Sequence, residues 1–154
     1  MGNTTGSGLR YYTPGELTQL ITSAQSLFSS HCDAVFASVI GPSYTNINFF
    51  ESLLATPIIQ YPNAPPTDPP PYGPSTVADT LTNQDGRPIR IFKPFYPTKY
   101  GFTAGYQESV LTHEGIHHYT GWDDSTVTNS FGITPGSYGT EYISNWIARG
   151  CVNQ

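Results

Sequence analysis

Thr112-His113-Glu114-Gly115-Ile116-His117-His118-Tyr119-Thr120-Gly121-Trp122-Asp123-Asp124 is the stretch on which the reading of this chain turns. His113 and His117 stand four positions apart, which on an α-helix is one turn plus about 40°. Their imidazoles then project from one face, one above the other, and can share a metal ion. Glu114 lies about 100° round the same helix, beside such an ion without having to bind it. Gly121 marks the helix end, and two aspartates follow Trp122 directly. Working backwards, the helix is predicted to begin between Thr103 and Gln107. Val110, Leu111 and Ile116 are its apolar anchors, and Glu108 sits in the first turn, where the helix dipole favours an acid.

His-Glu-x-x-His on a helix is the pattern of zinc peptidases, in which the glutamate is the general base for a zinc-bound water. Catalytic zinc takes three protein ligands and leaves one position open. In the longer HExxHxxGxxH pattern a glycine turns the chain off the helix and the third ligand follows three residues later. Here that glycine is Gly121, one place late, and the residue three beyond it is Asp124. Asp123 keeps the offset from His117 but not the offset from the turn. The turn aims the ligand, so Asp124 is preferred to Asp123, and Glu141 on the last helix ranks third. The aspartate that does not bind is expected to cap a helix from Ser125 to Phe131. Three fixed positions also match by chance, usually with the histidines exposed. The helical context, the glycine turn and the acids beyond it argue against chance here. His118 faces another side and is expected to serve the helix C-terminus or a nearby hydrogen bond. His31 is expected at the surface.

Outward from this stretch, 154 residues suffice for one domain with a real core. Residues 1–13 read as a flexible lead-in and 14–154 as a single domain. Charged residues make up only 11%, against 15 glycines, 14 prolines and 11 tyrosines, a loop-rich chain with enough apolar bulk to fold. A net charge of −5 argues against nucleic acid or an anionic membrane as partner. No apolar run approaches the roughly 18 residues of a membrane span. Cys32 and Cys151 are the only cysteines. A bridge between them suits a small exported domain, and the alternative is two buried thiols.

Leu17, Leu20, Ile21, Ala24, Leu27 and Phe28 form one helical stripe, continued in phase by Cys32, Val35, Phe36 and Val39. This predicts either one helix from Pro14 to Ile40 or two that meet near Ser29-Ser30. A short helix capped by Thr45 or Asn46 follows, with Ile47, Phe50, Leu53 and Leu54 inward. Pro57 to Pro74 reads as an extended surface arm that can wall a cleft, or more weakly as a ligand for proline-binding domains. Val77–Thr82 and Ile89–Tyr96, joined by Asn83-Gln84-Asp85-Gly86, read as a β-hairpin. Pro88 and Pro94 push its second strand to an edge, where it can align an extended peptide. A last helix runs from about Thr140 to Arg149, burying Ile143, Trp146 and Ile147, with Gly150 as its C′ residue. The fold class is α+β: a mostly helical, zincin-like minidomain with a small antiparallel β-hairpin or edge strand beside the HExxH helix.

HEGIHHYTGWDD, the glycine-rich turn after it, the last helix and the near-terminal cysteine together resemble the HExxH zincins with an aspartate as third ligand. More narrowly, they resemble small domains at the C-terminal ends of bacterial RHS-repeat (YD-repeat) proteins. Cys32 and the Ile89–Tyr96 strand fit the same pattern, so the resemblance spans most of residues 26–151. Leu9-Arg10-Tyr11-Tyr12-Thr13-Pro14 is faintly similar to the signature that closes the RHS core, with Thr13 in place of its acid. The resemblance implies Zn2+ at His113, His117 and Asp124, Glu114 as general base, and a peptide or protein substrate. It also implies a secreted or surface-displayed bacterial parent of which this chain is a part. One departure is plain. Met1 is the only methionine, so the Met-turn of the long-motif zincins is missing, and Phe131 or Ile133 is expected to form that floor.

The expected function is therefore peptide-bond hydrolysis by Glu-assisted attack of zinc-bound water. Tyr119, Tyr138 and Tyr142 are unranked candidates for oxyanion stabilisation. The alternative is a non-catalytic binding domain that zinc only stabilises, which would need a fourth protein ligand to close the site. An adhesion domain without metal is a third reading, suggested by the proline arm and the tyrosines.

Overall fold

The computed structural model describes residues 11–61, 77–92, 95, 104–134 and 142–153, with 104 and 105 as backbone only. Its helices are α1 (Pro14–Leu27), α2 (Ser30–Ile40), α3 (Asn46–Leu54), α4 (Ala104–Thr120), α5 (Asp124–Phe131) and α6 (Tyr142–Ala148). Its strands are β1 (Ile58–Tyr61), β2 (Ala78–Thr80) and β3 (Ile89–Phe92). The fold is mostly helical α+β, as the periodicities predict.

Local chemistry sets the boundaries. Thr13 and Glu16 form a reciprocal capping box at the start of α1, with Pro14 in the first turn. The long stripe is broken because the Ser29 side chain accepts from the Cys32 N–H and caps a second helix. Of the two arrangements the stripe allowed, the chain adopts two helices. Thr45 caps α3 by accepting from the Asn48 N–H. Two inward assignments on α3 are corrected: Ile47 and Leu54 are exposed, and Phe49 is buried beside Phe50 and Leu53. Phe50 and Leu53 are inward as expected, and Phe49 takes the place of Ile47 and Leu54 in the core, which buries a second large ring. Leu27, expected in the α1 stripe, is also exposed, because α1 ends there and the chain turns into α2.

The sheet order is β1-β3-β2. β2 pairs antiparallel with β3, as the hairpin signal predicts, with Asp79 opposite Arg90 and Thr80 opposite Ile89. The edge assignment of the second strand is corrected, because β1 pairs parallel to β3 on its other side. All four residues of β3 are buried. Pro88 precedes the strand and so removes no ladder bond, while Ile89 N–H donates to the Pro57 carbonyl at 2.9 Å. The stretch read as a surface arm thus opens with an edge strand, and residues 62–76 of it lie outside the described residues, as do Lys93, Pro94 and Tyr96. Tyr12 joins the sheet to the helices: it exchanges hydrogen bonds with Gln60, and its hydroxyl accepts from Gln107 on α4.

The core is aromatic. Phe28, Phe36, Phe49, Phe50, Phe131 and Trp146 meet at centroid distances of 4.8–6.5 Å, mostly edge to face, as ring quadrupoles favour. α4 runs through the middle, buried on every side from Gln107 to His117. Gly115 makes this possible on the α3 side, where an added Cβ would lie 3.1 Å from Phe49 Cζ and 3.3 Å from Leu53 Cδ2. Burial also corrects Glu108, which sits beyond the first turn and accepts a hydrogen bond from Ser23 at 2.7 Å. Cys32 and Cys151 form a disulfide. Among the described residues no helix is long and apolar enough to cross a membrane.

Candidate metal centre

A helix buried on all sides should carry few polar groups, yet α4 buries Gln107, Glu108, Ser109, Thr112, His113, Glu114 and His117. Buried polar groups need partners, and the partners of the last three define a site. His113 and His117 project from one face of α4, as their spacing requires. The His113 Nδ1 lies 3.0 Å from Ser144 Oγ, a fully buried hydroxyl on α6. The His117 Nδ1 lies 2.6 Å from the Trp122 carbonyl, and a carbonyl only accepts, so this nitrogen carries hydrogen. Both rings are thereby turned with Nε2 inward, 3.1 Å apart.

The third group arrives by way of Gly121. Its φ of +76° suits glycine, its N–H closes α4 on the His117 carbonyl at 2.8 Å, and the chain doubles back. Arg87, from the hairpin turn, holds the outside of this bend through a hydrogen bond from Nη1 to the His118 carbonyl at 3.0 Å. The two aspartates then divide their tasks. Asp123 is the N-cap of α5 and accepts from the Thr126 N–H at 2.8 Å. Asp124, one residue into the helix, brings Oδ1 to 3.0 Å from His113 Nε2 and 2.8 Å from His117 Nε2. Among the described residues this is the one cluster of three or more such side chains able to hold a metal ion. Of the alternatives weighed, Asp123 is the cap, and Glu141 lies outside the described residues.

With His117 Nδ1 committed as a donor, its Nε2 in the neutral ring is an acceptor facing a carboxylate oxygen at 2.8 Å. Two acceptors at that distance repel unless a cation lies between them. A proton can serve. Burial opposes charge on His117, but the hydrogen bond to Asp124 and the negative charges of Glu114 and Asp124 outweigh it and push the ring up to about 9. Burial likewise opposes charge on Asp124, and the two imidazoles outweigh it, holding its carboxyl well below the usual range. A metal ion can take the proton's place. The expected result is that a divalent ion titrated in at pH 7–8 displaces about one proton, so its apparent affinity rises roughly tenfold per pH unit up to about pH 9 and then levels off. Calorimetry in buffers of different ionisation enthalpy measures the proton count, and a count of zero at pH 7.5 would contradict this account. In the metal-free protein the same pair stabilises the fold most fully below about pH 6.5, the ordinary histidine value, down to the carboxylate range. That contribution is lost as pH rises through about 9.

Glu114 is 3% exposed and stands beside this cluster without joining it. Its Oε2 is 3.8 Å from His113 Nδ1, and its Oε1 accepts from the Thr80 hydroxyl at 2.8 Å. The remaining sequence candidates lie elsewhere. His118 Nδ1 meets the Arg87 carbonyl at 3.0 Å, and His31 is exposed. The Tyr119 hydroxyl donates to the Ser43 carbonyl, and that of Tyr142 pairs with Thr128. Tyr138 is outside the described residues. Phe131 and Ile133 are both buried, Phe131 against Trp122 and Trp146. Sequence reasoning missed Ser144, Thr80, Arg87 and the Trp122 carbonyl. Comparison with protein-family models, with curated proteins and with solved structures finds no match.

Proposed function

We propose that this chain is a zinc-dependent peptidase, with His113, His117 and Asp124 as the ligands and Glu114 as the general base. The observation that carries this reading is the convergence of two Nε2 atoms and one carboxylate oxygen within 2.8–3.1 Å of one another. The Trp122 carbonyl, which only accepts, holds the His117 ring in that tautomer, and the Ser144 hydroxyl at Nδ1 orients the His113 ring. The donor set fits zinc, which takes imidazole and carboxylate ligands, and such outer partners fix ligating histidines in metal sites generally. Bound there, zinc would supply a Lewis acid and lower the pKa of a water to about 7.

The rest is work for the chain's own groups. Glu114 takes a proton from the attacking water and returns it to the departing nitrogen. β2 lies against α4 through Thr80 and is terminal in the described sheet. With β3 central, β2 is the strand on which an extended peptide would be aligned. Two observations favour catalysis over a purely structural site, which a fourth protein ligand would close. The described residues supply three ligands, and the Asp124 side chain is 59% exposed, leaving the cluster open on that side. An exported setting, in a parent of RHS type, is supported by the disulfide and by the sequence resemblance.

The test is direct. Purified protein should bind about one zinc ion per chain and cleave members of a quenched-fluorescence peptide library; a chelator should abolish cleavage and added zinc restore it. Stoichiometric zinc without cleavage of any peptide would favour the zinc-stabilised binding domain. Absence of stoichiometric metal would reject both.

A further inference from the structure

We propose that Thr80 is the positioning residue for Glu114, dividing its carboxylate into an anchored oxygen and a working one; this rests on the peptidase reading above. Thr80 Oγ1 donates to Glu114 Oε1 at 2.8 Å, and the same hydroxyl approaches the Glu114 backbone carbonyl at 3.2 Å. It thus grips both ends of one residue. The two residues are 34 positions apart in sequence, so the contact is made by tertiary packing and not by a local motif.

The hydroxyl is presented from a stiff platform. Thr80 is the last residue of β2, in register with Ile89 of the central strand, and its branched Cβ limits χ1. The preceding residue, Asp79, is locked to Arg90 by paired hydrogen bonds of 2.8 and 2.6 Å. The following residue, Leu81, donates its N–H to the Pro88 carbonyl at 2.9 Å.

The other carboxylate oxygen is differently placed. Among the described residues Oε2 accepts no hydrogen bond; His113 Nδ1, 3.8 Å away, is already engaged by Ser144. A general base needs one oxygen held, so that the carboxylate plane is set before the substrate arrives, and one oxygen uncommitted. Thr80 supplies the first condition and leaves the second to Oε2. In the proposed hydrolysis Oε2 takes one proton from the attacking water and passes it to the departing nitrogen, while Thr80 keeps its own proton throughout.

Thr80→Val keeps the shape of the side chain and removes the hydroxyl, and Thr80→Ser keeps the hydroxyl. In the valine variant kcat should fall about 10- to 100-fold, with KM and zinc stoichiometry close to the parent's. The Glu114 13Cδ resonance of the metal-free protein, assigned through Glu114→Gln, should move in the valine variant and return in the serine variant together with kcat. An unmoved resonance, or a moved one with parental kcat, overturns the proposal while leaving the peptidase reading intact. Loss of zinc in the valine variant, or failure of serine to rescue, assigns Thr80 a merely structural role and also overturns it. A zinc-loaded parent that cleaves no peptide sinks the reading itself, and the base role with it.

Discussion

Glu114→Gln should keep its zinc and its fold and lose about 10²- to 10⁴-fold in kcat, the range over which general bases contribute. The argument is one of separable roles. Glu114 is not among the three converging ligand atoms, so its replacement leaves the metal's donors untouched. Glutamine has the same volume, and its amide oxygen can still accept from the Thr80 hydroxyl at the place where Oε1 now accepts at 2.8 Å. A site 3% exposed therefore keeps its packing and its hydrogen bond while losing the ability to take a proton. His113→Ala should behave in the opposite way, losing zinc first and activity as a consequence. Metal content measured beside kcat separates the two variants. Cleavage by the glutamine variant at the parental rate would remove Glu114 from the mechanism.

The parts of this site that the sequence made legible are those written in local spacing. His113 and His117 share a face because four residues nearly close a helical turn. Asp124 was preferable to Asp123 because the bend at Gly121, not the residue count, decides which carboxylate comes back to the histidines. The structure brings Asp124 there and leaves Asp123 as a cap. Ser144 and Thr80 were not legible, because each reaches the site from more than 30 residues away on an element whose own pattern is ordinary. The signal that would have pointed to such partners is compositional. α4 carries polar side chains at nearly every turn while also being the helix most enclosed by others, a local conflict of the kind found at functional sites.

The fold was misread where a strand's neighbour was hidden. Two prolines beside Ile89–Phe92 suggested an edge, but position in a sheet is set by what pairs on each side, and β1 sits in a stretch that composition marked as arm. Pairing on both sides covers the two edges of β3, and all four of its residues are buried, so its faces are covered as well. On α3, period alone did not choose between Ile47 with Leu54 and Phe49 as the companions of Phe50 and Leu53. Area did: Phe49 and Phe50 lie at the centre of the aromatic core and Ile47 remains outside.

Removing the Cys32–Cys151 bridge should lower stability by about 4–5 kcal/mol, because it closes a loop of about 120 residues and so restricts the unfolded chain strongly. For a domain of this size each kcal/mol corresponds to roughly 2–4 °C, so the melting temperature should fall by about 10–20 °C. Alanine at both positions is the appropriate substitution, since both cysteines are buried and serine would add unpartnered hydroxyls. The melt is best recorded without metal, where binding cannot mask the loss. The site should respond differently. The bridge joins α2 to Cys151, in the turn that follows α6, and α6 carries Ser144 behind His113. That helix is also held by Ile143, Trp146 and Ile147 in the core, contacts that survive the substitution. If the bridge acts on the unfolded chain, the double variant at a temperature well below its melt should bind zinc within a few-fold of the parent. A large fall in melting temperature with near-parental zinc affinity supports that division. A melting temperature within about 2 °C of the parent's removes the entropic argument, and a zinc affinity lowered tenfold or more would show instead that the bridge holds Ser144 against His113 in the folded protein.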